Sequence, residues 1–417
     1  MWNSPRFRFV VTLFCSGVMM LQFWVFWGAR GRVLSGWPDF SIFYAAGVTI
    51  RRGQGAVLYN DAVQRQVQQE FIPETLAVRN PLPYNHPPFE VLLYLPLTYT
   101  NYVHAYMIWF LANVMLLGGC VYMLRNWLSA LTMAFPWFMF AMPLAFFPVA
   151  DSLLQGQDSI VLLALYCLAY VAFLRKKEMW AGVFLGLGLF KFHLVLPFVF
   201  LLFLKRRWRS LAGILISASV EALVSLVMVG WKELLHYPFY VWQINRKQPP
   251  GIIVPETMPN LRGLIMGWGS SSAALQLVVF VLSLLLLVWA AKRFAPEGLT
   301  KSDVWNAGFS VALIATFLVG YHSYAHDMTI TLLPCLITFD RLLEQPPPRR
   351  AILLLFLLGV LFSPLFLYMT LYFAHQKLFA LVLLLLVWAI ASSVELPASL
   401  GNAAKEKRIQ SFAGSCL

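Results

Sequence analysis

Asp39 stands in the run Trp37-Pro38-Asp39-Phe40, just beyond the first long apolar stretch, which ends near Gly28. A carboxylate held there can take the proton of a hydroxyl while that oxygen forms a new bond. An aspartate ahead of a helix also caps it, and spacing alone admits both roles. Lys191 and His193 are ionisable groups inside an otherwise apolar stretch. A charge near the bilayer centre costs roughly 2.5 to 3.5 kcal/mol, so something must compensate it. A phosphate in a cavity would do so, and so would escape of the ammonium to the outer interface. In Tyr321-His322-Ser323-Tyr324-Ala325-His326-Asp327 the two histidines are one turn apart if the segment is helical. With Asp327 that spacing would suit a metal, but no further acidic partner is evident in the sequence nearby. Hydrogen bonding to a phosphate or hydroxyl is the reading preferred, and no metal site is assigned. Arg262, in Asn260-Leu261-Arg262-Gly263, offers a fork-shaped guanidinium to a phosphate or simply sits at an interface. Tyr84-Asn85-His86-Pro87-Pro88 and Gln155-Gly156-Gln157-Asp158 are further polar groups in turn-forming contexts.

The elements that hold these groups must be membrane helices. The chain of 417 residues is 60% hydrophobic and only 12% charged, whereas a soluble domain carries about a quarter charged residues. Apolar runs of membrane-spanning length recur from Val10 to Val394, and in lipid each must satisfy its own backbone as a helix. An all-α, polytopic transmembrane protein follows. The net charge of +13 comes from short basic clusters between apolar runs, which points to positive-inside topology and away from nucleic acid. Five scattered cysteines form neither a disulfide framework nor a zinc pattern.

Arg6 and Arg8 before the first run place the amino terminus in the cytoplasm, so residues 29–101 form a first extracytoplasmic loop. Within it, residues 42–52 and 62–71 read as short helices on the membrane, divided by Gly53 and Gly55, and 89–97 as a partly inserted segment. Spans are expected at 10–28, 103–124, 128–149, 159–174, 211–229, 274–291, 304–319, 327–342, 351–371 and 378–392. Two half-length helices, 180–190 and 194–204, must go out and return between the basic clusters Arg175–Lys177 and Lys205–Arg209, with Lys191 at their tip. That makes about twelve membrane segments with both termini cytoplasmic, a second extracytoplasmic loop at 230–269, and a single integral domain. No internal repeat is evident.

Taken in order, these segments resemble glycosyltransferase family 87, membrane enzymes of the GT-C superfamily. The resemblance rests on Asp39-Phe40-Ser41-Ile42-Phe43-Tyr44-Ala45-Ala46-Gly47, Gly53 to Tyr59, Tyr84 to Phe89, Gly156-Gln157-Asp158, Gly186 to Pro197 around Lys191, Asn260 to Gly263, and the His326-Asp327 turn. It implies a polyprenyl-phosphate hexose donor, mannose favoured, and a lipid or glycan acceptor. Asp39 would be the catalytic base, with His322 or His326 also in the site. Lys191, His193 and Arg262 would meet the donor phosphate, and Tyr44, Tyr84, His86, Gln157 and Asn260 the substrates. Transfer would proceed by direct displacement with inversion, at the extracytoplasmic face of the cell membrane and without a cofactor. A transporter or flippase for a lipid-linked saccharide is the rival, since it too could use an intramembrane lysine and outer histidines. It explains the long first outer loop less well.

Overall fold

The computed structural model describes residues 4–247, 254–269, 272–294, 302–344 and 349–394. The expected cytoplasmic tail, with Lys405, Lys407 and Arg408, lies outside the described residues, as do Pro249 and Pro250 of the second outer loop. Among the described residues every regular element is helical.

The first helix, α1 (Pro5–Leu34), begins at Ser4, whose hydroxyl accepts from the Phe7 N–H, with proline at the first helical position. Phe9, Met20, Phe23 and Trp24 stand largely exposed along it, a surface for which lipid is the natural solvent. The next helices, α2 (Phe40–Arg51) and α3 (Asp61–Phe71), build the segment 29–101, the expected first outer loop. Asn60 caps α3 through bonds from the Ala62 and Val63 amides. Under α2 lies an aromatic platform in which Phe43 stacks on Tyr94 at 4.5 Å and Phe40 packs against Tyr102 and Tyr106. Such rings lose little entropy on ordering and make a stiff base for the residues above them.

After α4 (Tyr102–Leu124), the expected span at 128–149 is not one helix. It breaks into short turns at Ser129–Ala134, Phe138–Phe140 and Met142–Ala145 before α5 (Phe147–Gln155). Pro136, Pro143 and Pro148 remove helix donors along this stretch, and the freed backbone finds buried partners instead. Gln22 donates to the Ala145 carbonyl, Thr329 donates to the Pro148 carbonyl, and the Asp340 carboxylate accepts from the Leu131 amide.

The chain continues through α6 (Ser159–Leu174), α7 (Glu178–Gly186) and α8 (Phe192–Leu204). The last two are a broken pair set at 61°. Arg207 pairs with Glu178, and a Cβ on Gly182 would collide with the Ser210 carbonyl, so the residues after α8 come back beside the start of α7. Both basic clusters flanking the pair therefore lie near one end of it. The long helix α9 (Trp208–Lys247) is kinked at Gly230, where φ is +79°. The remaining helices are α10 (Leu261–Met266), α11 (Ala273–Arg293), α12 (Ser302–Val319), α13 (Leu332–Leu343), α14 (Ala351–Leu361), α15 (Leu365–Tyr372) and α16 (Phe379–Ser392). Among the described residues, four helices are long and apolar enough to cross a membrane, or up to six if each of two bent pairs is one span. Shorter apolar helices such as α6 and α12 are packed deep in the protein, with Tyr166, Tyr170, Phe309 and Phe317 fully buried.

Candidate active site

A cavity of about 430 Å³ lies where the 29–101 segment, the start of α6, the break between α7 and α8, and the turn before α13 converge. Asp39, His86, Gln157, Lys191, His193, His322 and His326 all line it. Arg262 stands just behind His322, its Nη1 3.3 Å from that Nδ1 and its guanidinium 4.0 Å over the Tyr321 ring.

Asp39 is at the N-terminus of α2 but its side chain makes no capping bond. Its Oδ2 instead accepts from Gln157 Nε2 at 2.8 Å, and its N–H donates to Gln155 Oε1 at 3.4 Å. The meeting of these distant segments depends on Gly156. It adopts φ +64°, and a Cβ there would stand 2.6 Å from Phe40 Cβ, so the 155–157 turn can lie directly on the start of α2 only without a side chain. Trp109 Nε1 donates to the Gly156 carbonyl at 2.9 Å and fixes the turn from below.

Lys191 is 2% exposed and does not reach the interface. Its ammonium lies 2.6 Å from Asp327 Oδ1 and 2.9 Å from Asp158 Oδ1, and donates to Ser159 Oγ at 2.7 Å and Gln157 Oε1 at 3.3 Å. Compensation of this charge thus comes from two carboxylates within the protein, partners that the sequence motifs contain but do not pair with it. Asp327 is also held by the Tyr324 amide at 3.0 Å.

The two late histidines diverge, because residues 320–325 form an irregular turn in place of the helix that would have put them on one face. His326 lies between carboxylates, with Nδ1 3.8 Å from Asp151 Oδ2 and Nε2 3.6 Å from Asp327 Oδ2. Burial, and then the adjacent Arg262 charge, hold His322 neutral with its pKa pushed down to about 3. Asp151, which sequence reasoning missed, lines the same cavity, and its carboxyl is raised by burial to about 6. His193 Nε2 is 3.9 Å from Asp327 Oδ2.

Three of the expected contacts support the walls and do not face the cavity. The Tyr44 hydroxyl donates to the Thr100 carbonyl at 2.7 Å. Tyr84 is fully buried and donates to the Pro87 carbonyl at 2.9 Å. Asn260 caps α10 by accepting from the Gly263 amide at 2.8 Å and ties it to the late turn through the Gly320 carbonyl at 2.7 Å. That tie is what sets Arg262 beside His322. Beneath the cavity, His86, Glu90 and Asp158 bring ligand-type atoms within 4.8 Å of one another, with His86 Nδ1 3.0 Å from Glu90 Oε1. Cationic charge at this cluster is already supplied by Lys191, and burial lifts Glu90 well above the usual carboxylate range and depresses His86 to about 4.

The arrangement presents one carboxylate with an oxygen to spare, a second carboxylate nearby, and a neutral imidazole backed by a guanidinium across the cavity. It can take a proton from a hydroxyl and receive an anion in the same enclosure. The family model described as glycosyltransferase family 87 matches residues 84–320, more than half of the chain. That stretch contains Gln157, Asp158, Lys191 and Arg262 and ends just before the late histidines. No curated protein and no solved structure matches the chain.

Proposed function

The chain belongs to glycosyltransferase family 87, and we propose that it moves a hexose, mannose favoured, from a polyprenyl-phosphate donor to a hydroxyl of a lipid or glycan acceptor. The observation carrying this reading is the half-buried Asp39 carboxylate on the cavity wall, with the neutral His322 imidazole lining the same enclosure and the Arg262 guanidinium directly behind that ring. Asp39 Oδ2 is engaged by Gln157, which leaves Oδ1 for the acceptor hydroxyl. As that oxygen attacks the anomeric carbon, its proton passes to Asp39 and the bond from the anomeric carbon to the phosphate oxygen breaks. The configuration inverts. Polyprenyl phosphate leaves as a monoester with more negative charge than the donor carried, so positive groups here favour the transition state over the ground state.

Arg262 is the cation best suited to the leaving phosphate, since its partners among the described residues are the Tyr321 carbonyl, the Tyr321 ring and His322, and none is a carboxylate. His322 and His193 would add hydrogen bonds. Lys191 meets the phosphate only if the anion competes with Asp158 and Asp327. The reaction would take place at the extracytoplasmic face of the cell membrane, in a GT-C-like frame of about twelve membrane segments with both termini cytoplasmic.

Purified protein in detergent, given polyprenyl-phosphate mannose and a membrane glycolipid extract, should release polyprenyl phosphate and form a mannosylated product. Donor left intact, with every polyprenyl-phosphate hexose tried, would remove this reading.

A further inference from the structure

We propose that Lys191 is a positioning residue for the base: it selects one of two orientations of the Gln157 amide, and through that amide it holds the Asp39 carboxylate. The inference rests on the reading of Asp39 as base, and it gives the buried lysine a task other than phosphate binding.

An ammonium can only donate and an ionised carboxylate can only accept, while a primary amide does each at opposite ends. Gln157 sits between the two, with Oε1 3.3 Å from Lys191 Nζ and Nε2 2.8 Å from Asp39 Oδ2. Turning the amide over would set donor against donor on one side and acceptor against acceptor on the other. Lys191 therefore fixes which end of the amide meets the base. Lys191 itself has little freedom, being clamped by Asp158, Asp327 and Ser159. Asp158 and Ser159 follow Gln157 directly in sequence, so one short turn carries the relay and two of the three clamping groups, while the late turn supplies Asp327.

Other groups near Asp39 include Arg79, Asp151, Tyr94, Tyr102 and Tyr324, and Gln155, whose Oε1 accepts from the Asp39 N–H and does not touch the carboxylate. None of them interposes an orientable amide between a buried cation and the base.

The test is a double-mutant cycle on kcat and donor KM, with pH profiles. Gln157→Leu should lower kcat at least tenfold with donor KM within about twofold. Gln157→Glu places a second carboxylate against Asp39, so the acid limb of kcat should move up by about one pH unit or more. Lys191→Met strands two carboxylates and can fail to fold, so it is paired with Asp158→Asn, which removes one cation and one anion together. That double variant should lose kcat as Gln157→Leu does, and joining it to Gln157→Leu should add little. Losses that multiply, an effect confined to donor KM, or an unmoved acid limb in Gln157→Glu would each overturn the proposal. A wild-type protein that fails to release polyprenyl phosphate would instead count against the transferase reading.

Discussion

His322 and His326 differ in what surrounds them, and the difference has a kinetic consequence. Burial and Arg262 depress the His322 pKa to about 3, so the ring is neutral above that value and charged only below it. Its protonation then does not change between pH 5 and 8. His322→Asn, which keeps a hydrogen-bonding group, should lower turnover while leaving both limbs of the kcat profile where they are in that range; a limb that disappears with the substitution would show His322 titrating. Asp39 stood out in the sequence as a carboxylate just past a membrane helix, where spacing alone admitted both a proton acceptor and a helix cap; its side chain makes no capping bond. Its partners were less readable. Gln157 stands far from it in the chain, and Asp151 carries no local motif at all. Lys191 announced itself by the cost of its burial, but the identity of what offsets that cost is a tertiary fact, and two aspartates in separate loops supply it.

At the scale of elements, turn residues and periodicity located α3, which has its own cap in Asn60, whereas the short α10 capped by Asn260 lies within what the sequence read as a loop. Hydropathy alone misled at 128–149. A run apolar enough to span is also apolar enough to be buried in irregular form, and three prolines decided for the latter. The irregular turn at 320–325 likewise defeated a spacing argument that assumed helix. Glycine at 156 is the element-level feature on which the site depends most. Gly156→Ala should cost about 1 to 2 kcal/mol from the left-handed backbone, with a further penalty from the clash against Phe40. The expected result is a lower melting temperature together with a kcat loss larger than stability explains, since the turn carries Gln157. Full activity in Gly156→Ala would show that Asp39 does not need the contact.

At the scale of the whole molecule, the account requires the first outer loop and the late turn to lie on the same, extracytoplasmic side. Gln66 is exposed on α3. A cysteine placed at Gln66 should react with an impermeant thiol reagent in intact cells, and labelling only after lysis would invert the topology. The four cysteines within the described residues are buried and would give little background. Sequence made the membrane setting and the order of segments legible because both rest on local hydropathy and charge. How those segments gather one cavity depends on packing between residues more than a hundred positions apart, as between Asp39 and Gln157.

Asp39→Asn tests the central claim most directly, since it keeps size and hydrogen bonding but removes the proton acceptor. General-base catalysis is typically worth about a hundred- to ten-thousand-fold, so the purified variant should release polyprenyl phosphate more slowly by that factor with yield and melting temperature near wild type. Asp39 makes no capping bond, so little stability is expected to be lost. Release at a near-normal rate from Asp39→Asn would contradict the account and move the search for the base to Asp151 and His326.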